Sequence, residues 1–117
     1  MAPAGSVHEE PLKAGVRALV QAGFNVELAR EIHEHDGYLA GGKEKRAKAL
    51  QDFFQREEIS AIFCARGGFG SIQLLPLLDP ELIRHHPKIF VGYSDVSVLL
   101  NWLLQRCGMV TFHGPMV

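Results

Sequence analysis

The chain has 117 residues, 47% of them hydrophobic and 21% charged, with a net charge of −1. This is the composition of one small globular domain, or of part of a larger one, and it argues against disorder. Near-neutral charge without a long Lys/Arg run gives a nucleic-acid or anionic-membrane surface no electrostatic support, and no apolar run approaches the ~20 residues that span a bilayer.

Residues 8–22 read as a helix, with Leu12, Val16, Leu19 and Val20 on one face. Gly23 follows where a left-handed C-terminal cap is expected. Phe24 to Leu28, "FNVEL", alternates apolar and polar like a short strand. Residues 29–42 read as loop. Residues 43–57 read as a second amphipathic helix, with Ala47, Leu50, Phe53 and Phe54 facing inward.

Ser60 to Ala65, "SAIFCA", is a continuous apolar run and reads as a strand buried on both faces. It ends in Arg66-Gly67-Gly68-Phe69-Gly70. A short helical stretch is expected over residues 71–78, and Asp79-Pro80 opens another. Lys88 to Gly92 is a third strand. Val96, Leu99, Leu100 and Leu103 form one face of a helix ended by Gly108. Met109 to Phe112 is a fourth strand candidate. At the start, "MAPAGSV" reads as the loop after a first strand, which would then be cut short.

Helices alternating with buried strands predict an α/β fold with a mostly parallel sheet and helices on both faces. In such sheets, ligands bind beyond the carboxyl ends of the strands. Arg66–Gly70 and Gly92–Asp95 both sit at such ends, so they face one crevice if their strands are neighbours.

Ser94 stands on the corner between the third strand and the following helix. On local sequence the commoner role is a helix cap, its hydroxyl accepting from a free backbone N–H, with Asp95 suiting the helix dipole. The same corner also presents a serine for nucleophilic attack, with free N–H groups behind it to receive an oxyanion. Position 96 is Val, so the G-x-S-x-G elbow is absent.

The "RGGFG" loop has three readings. It is a flexible turn, a phosphate loop, or the second wall of an oxyanion hole. Its glycines allow positive φ and close approach, but neither common phosphate-loop spacing is present. Arg66 would bind a substrate carboxylate or pair structurally.

The spacing of His33 and His35 favours a solvated loop over a metal site. His85 and His86 end a short helix, where a cation suits the dipole. His113 follows a strand end and could enter the crevice. Cys64 and Cys107 fit no disulfide or metal framework. A serine needs an adjacent base, and no convincing base with an orienting acid is visible.

Several pieces occur in one order: "APAGSV", "YLAG" followed by "KRAKALQDFF", "AIFCARGGFGSIQLLPLLD", "PKIFVGYSDVSVLL" and "VTFHGPM". Together they resemble the N-terminal half of the serine LD-carboxypeptidases, the family that includes muramoyltetrapeptide carboxypeptidase and the microcin-immunity peptidases. The resemblance covers nearly the whole chain, with Ser97 and Gly42 as small departures. It implies a flavodoxin-like domain and makes Ser94 the nucleophile. The oxyanion hole would use backbone N–H groups of Asp95 and Gly68, with Gly67 and Arg66 at the substrate.

The family's triad Glu and His lie in a C-terminal domain, so this chain alone is expected to be inactive. The implied activity releases a C-terminal D-amino acid from peptidoglycan-derived peptides, with no metal or cofactor. A muropeptide or peptide-nucleotide is the implied substrate. A cytoplasmic homodimer is the implied state, with neither nucleic acid nor membrane as partner. The competing function is a nucleotide- or phosphate-binding module built on "RGGFG".

Overall fold

A computed structural model of the chain describes residues 1–116. Its sheet has three strands, β1 (Ala61–Phe63), β2 (Ile89–Gly92) and β3 (Phe112–His113), in the order β1-β2-β3. Both pairs are parallel, with Ile62 opposite Phe90 and Val91 opposite Phe112. Side chains alternate across the sheet, so Ile62, Cys64 and Phe90 point to one face. Ala61, Phe63, Ile89, Val91 and Phe112 point to the other.

The first face is densely covered. Helices α2 (Lys43–Gln55), α3 (Pro80–His85) and α4 (Ser97–Cys107), with a 3-10 helix over Ser71–Leu77, pack against it. Leu50, Phe54, Ile62, Leu74, Ile83, Phe90, Leu99 and Leu103 are all buried there. Phe54 stacks on Phe90 with ring centroids 6.2 Å apart. Each such side chain stabilises the fold by roughly 1.5–3 kcal/mol when fully buried.

On the other side, α1 (Glu9–Gln21) stands off β1, its Leu12, Val16 and Leu19 lining a cavity shared with Ala61, Ile62 and Phe63. Leu12 joins Ala2, Val7, Ile32 and Ala40 in a small second core, with Val16 and Ala65 packed on it. Beyond it Ile89 and Phe112 remain half exposed.

Local chemistry sets the helix ends. Asp79 caps α3 by accepting from the N–H groups of Glu81 at 2.9 Å and Leu82 at 3.2 Å, with Pro80 at a position that needs no donor. Gly108 ends α4 in the left-handed region, φ 68°, and Met109 N–H then donates to Leu103 O at 3.2 Å. The Gly108 N–H donates to Leu104 O at 3.1 Å, the single bond of an αL ending.

Two strand expectations need correction. Phe24–Leu28 is irregular, with Phe24 59% and Leu28 37% exposed. Alternation makes a strand only where a neighbour completes the ladder, and here a cavity of about 420 Å³ lies between this segment and β1. The last strand is Phe112–His113 rather than Met109–Phe112, because the Met109 amide is spent on the end of α4. On the free side of β1, Met1 makes a short parallel pairing. Its N–H donates to Phe63 O at 2.9 Å, and its carbonyl accepts from Ala65 N–H at 2.8 Å. No described helix is long and apolar enough to cross a membrane.

Candidate active site

Because β1 and β2 are adjacent and parallel, the loops that follow them emerge at one rim of the sheet. Gly67 is the point of contact. A Cβ built on it would lie 3.4 Å from Ser94 Cβ and 3.5 Å from Asp95 N. The two loops therefore form facing walls of one crevice.

Ser94 is exposed, and its backbone has φ 60°. It is the one non-glycine with positive φ among the described residues. The left-handed region costs an L-residue about 1–2 kcal/mol, so the surrounding structure imposes this geometry. Ser94 begins a short 3-10 helix (Ser94–Val96) whose N-cap position is Tyr93, and α4 is entered from Val96, so Ser94 occupies neither cap position. The simple capping role therefore does not describe it. Gly92, two residues earlier, is required by space. A Cβ there would meet Val96 Cγ1 at 2.5 Å and Cys64 Cβ at 3.4 Å.

The glycine loop supplies backbone donors. Gly67 O accepts from Gly5 N–H at 3.0 Å. In a trans peptide the next N–H points the opposite way, so that of Gly68 is turned away from Gly5. It has no backbone acceptor among the described residues. Gly68 has φ 101°, and a Cβ there would lie 1.7 Å from the Tyr38 hydroxyl, so only glycine fits. The Asp95 N–H belongs to the first turn of a helix, where no intrahelical acceptor exists. An exposed hydroxyl thus stands at a rim where its own loop carries the Asp95 amide and the facing loop, touching at Gly67, carries the Gly68 amide.

The profile of the LD-carboxypeptidase N-terminal domain matches residues 1–114. The chain belongs to the LD-carboxypeptidase family. It is 40% identical over 117 residues to the probable murein peptide carboxypeptidase of Bacillus subtilis, covering 100% of this chain and 37% of that protein. It is 39% identical over 116 residues to the murein tetrapeptide carboxypeptidase of Pseudomonas aeruginosa, covering 98% and 38%. A solved structure of the microcin C7 self-immunity protein MccF, in complex with aspartyl sulfamoyl adenosine, matches with TM-score 0.96 at 29% identity. That match covers 99% of this chain and 36% of MccF. The chain thus spans well under half the length of these relatives. The recognised family and the parallel α/β fold agree with the sequence reading.

In this member of the LD-carboxypeptidase family, Arg66 is engaged by its own fold. Its guanidinium donates to Ser6 O at 2.5 Å and lies 5.4 Å from the Tyr38 ring centroid. It still lines a cavity of about 560 Å³ with Ala65, Tyr93, His113, Gly114 and Pro115. His113 meets Tyr93 edge-on, with centroids 6.2 Å apart. Among the described residues, neither His113 nor any other base bonds to the Ser94 hydroxyl.

The Asp95 carboxylate accepts from Ser71 N–H at 2.9 Å, at the start of the helix that follows the glycine loop. A phosphate loop needs that helix start free for an anion. Here an acidic side chain already fills it, which counts against the phosphate reading. Cys64, beneath the corner, is no rival nucleophile: burial pushes its thiol up to about 12.

Sequence reasoning missed Arg46, Tyr38 and the carbonyls of the N-terminal loop. Arg46 is fully buried. It falls on the same stripe of α2 as Leu50 and Phe53, so a charge at helical spacing with core residues was the available signal.

Proposed function

We propose that this domain carries the nucleophile of a serine LD-carboxypeptidase that releases a C-terminal D-amino acid from peptidoglycan-derived peptides. The observation behind this reading is the strained, exposed Ser94, with Gly67 of the glycine loop directly across the rim from it and from the adjoining Asp95 amide. The murein carboxypeptidase names of the relatives support the substrate class.

In this mechanism Ser94 Oγ attacks the amide carbonyl between an L-centre and the terminal D-residue. Charge builds on the carbonyl oxygen, and the Asp95 and Gly68 N–H groups receive it. Losing one such donor typically costs ~2.7–4 kcal/mol of transition-state stabilisation. The tetrahedral intermediate expels the D-amino acid as an amine and leaves an ester on Ser94, which water hydrolyses. The serine proton must move to a base and then to the leaving amine. By family resemblance a Glu and a His outside this chain perform that step.

Gly67 and Arg66 would face the substrate. Because the MccF structure holds aspartyl sulfamoyl adenosine, an aminoacyl-nucleotide is a second substrate type for the crevice. The working protein would be a cytoplasmic homodimer. Without the Glu and His, this chain alone should release no D-alanine from a muropeptide. Turnover that vanishes in Ser94→Ala would disprove that statement.

The test of the site itself is covalent. The chain is incubated with a fluorophosphonate, and the adduct is located by mass spectrometry. The expected outcome is slow, selective modification of Ser94. An unmodified Ser94 together with saturable nucleotide binding, weakened by Gly68→Ala, would overturn the peptidase reading.

A further inference from the structure

Arg46 is a charged side chain with no solvent exposure and, among the described residues, no carboxylate partner within ion-pair distance. Burial pulls its pKa below the ordinary arginine value, opposed first by the charge of Asp95. Burying a guanidinium is unfavourable unless its N–H groups are satisfied. Here four of the five find acceptors, three of them backbone carbonyls. Nε donates to Gly41 O at 2.9 Å. One terminal nitrogen donates to Pro3 O at 2.6 Å and to Gly70 O at 3.2 Å. The other donates to Gln73 Oε1 at 2.7 Å.

These acceptors lie on separate pieces of chain. Pro3 belongs to the N-terminal loop, whose Gly5 N–H holds Gly67 O. Gly41 closes the loop that carries Tyr38, the residue packed over Gly68. Gly70 ends the glycine loop, and Gln73 lies in the helix after it. One flat, rigid group therefore ties the N-terminal loop, the Tyr38 loop and the end of the glycine loop together. It does not reach Ser94 or the Gly68 and Asp95 amides. From the far side, the Asp95 carboxylate fixes Ser71 N–H, the next residue along.

We infer that Arg46 is a positioning residue for the oxyanion pocket: its guanidinium sets where the Gly68 amide stands relative to Ser94. The inference rests on the proposed function for its catalytic meaning. The planar fork is essential. A lysine carries the same charge but cannot span four acceptors in fixed directions. Arg46→Lys should therefore behave as a defective variant.

The experiment follows the backbone amide resonances of this chain by 1H–15N spectroscopy in the wild type, Arg46→Lys and Arg46→Ala. Gly68 and Asp95 do not touch Arg46, so a purely stabilising residue would leave their resonances in place in any folded variant. Positioning predicts that they shift or broaden in Arg46→Lys, while Phe90 and Val91 in β2 keep theirs. Added guanidinium, but not ammonium, should return them toward wild type in Arg46→Ala. A folded Arg46→Lys with unmoved Gly68 and Asp95 resonances would overturn the inference. So would failure of both variants to fold in guanidinium, which would make Arg46 a general folding residue. Fluorophosphonate modification of Ser94 is a separate readout. Its failure together with saturable nucleotide binding would remove the peptidase reading while leaving the amide result standing.

Discussion

The glycine loop Arg66–Gly70 and the serine corner Gly92–Asp95 leave neighbouring strands at one rim, but they are fixed by different means. The glycine loop has little of its own to hold it. Its shape comes from outside, through Gly5 on Gly67, Tyr38 over Gly68, Arg46 on Gly70 and Asp95 on Ser71. The serine corner is held locally, by Gly92 tucked against Val96 and by a single residue in the left-handed region. A wall supported from many directions fails when its supports are removed. A corner supported by its own backbone fails when that backbone is altered.

The largest effect should come from the outer supports. Arg46→Met leaves the carbonyls of Pro3 and Gly41 without this donor, and each unsatisfied buried group costs about 1–3 kcal/mol. A loss of about 3 kcal/mol or more is expected in urea unfolding. A midpoint close to wild type would break the contrast.

Next comes the corner's own backbone. Gly92→Ala places a methyl within contact of Val96, a β-branched side chain that cannot swing aside, and overpacking of this kind costs about 1–3 kcal/mol. The same unfolding assay measures it.

Asp95→Ala removes a charged acceptor from Ser71 N–H, for a loss of about 1.5 kcal/mol. It should move the amide resonance of Ser71 while leaving that of Phe54 unchanged.

The smallest effect sharpens the comparison. Ser94→Gly relieves the left-handed strain and Ser94→Ala does not, so the glycine variant should be the more stable by about 1 kcal/mol. Equal melting temperatures for the two would show that the corner is unstrained.

The stripe Ala47, Leu50, Phe53, Phe54 could be read from helical spacing, and the "SAIFCA" run from its unbroken apolarity. Both are local patterns that burial rewards directly. The corner was harder. Local rules favour a cap at Ser94, and positive φ is uncommon enough at serine that nothing in the string announces it. Only the resemblance pointed the other way. Phe24–Leu28 misled because alternation describes a strand's side chains and says nothing of its neighbour. The ties around the crevice were illegible because they run to carbonyl oxygens, which every residue possesses. Arg46 stood on the stripe in plain view, but a charge there signals burial only once its acceptors are known.

The thinly covered side of the sheet has a practical corollary. Ile89, Val110 and Phe112 stand 50%, 74% and 51% exposed around one depression. Water meets a greasy panel there, and such panels adhere to one another. Concentrated stocks of the domain should light up naphthalene-sulfonate dyes and turn cloudy with added sulfate, and a charged residue at position 112 should clear them.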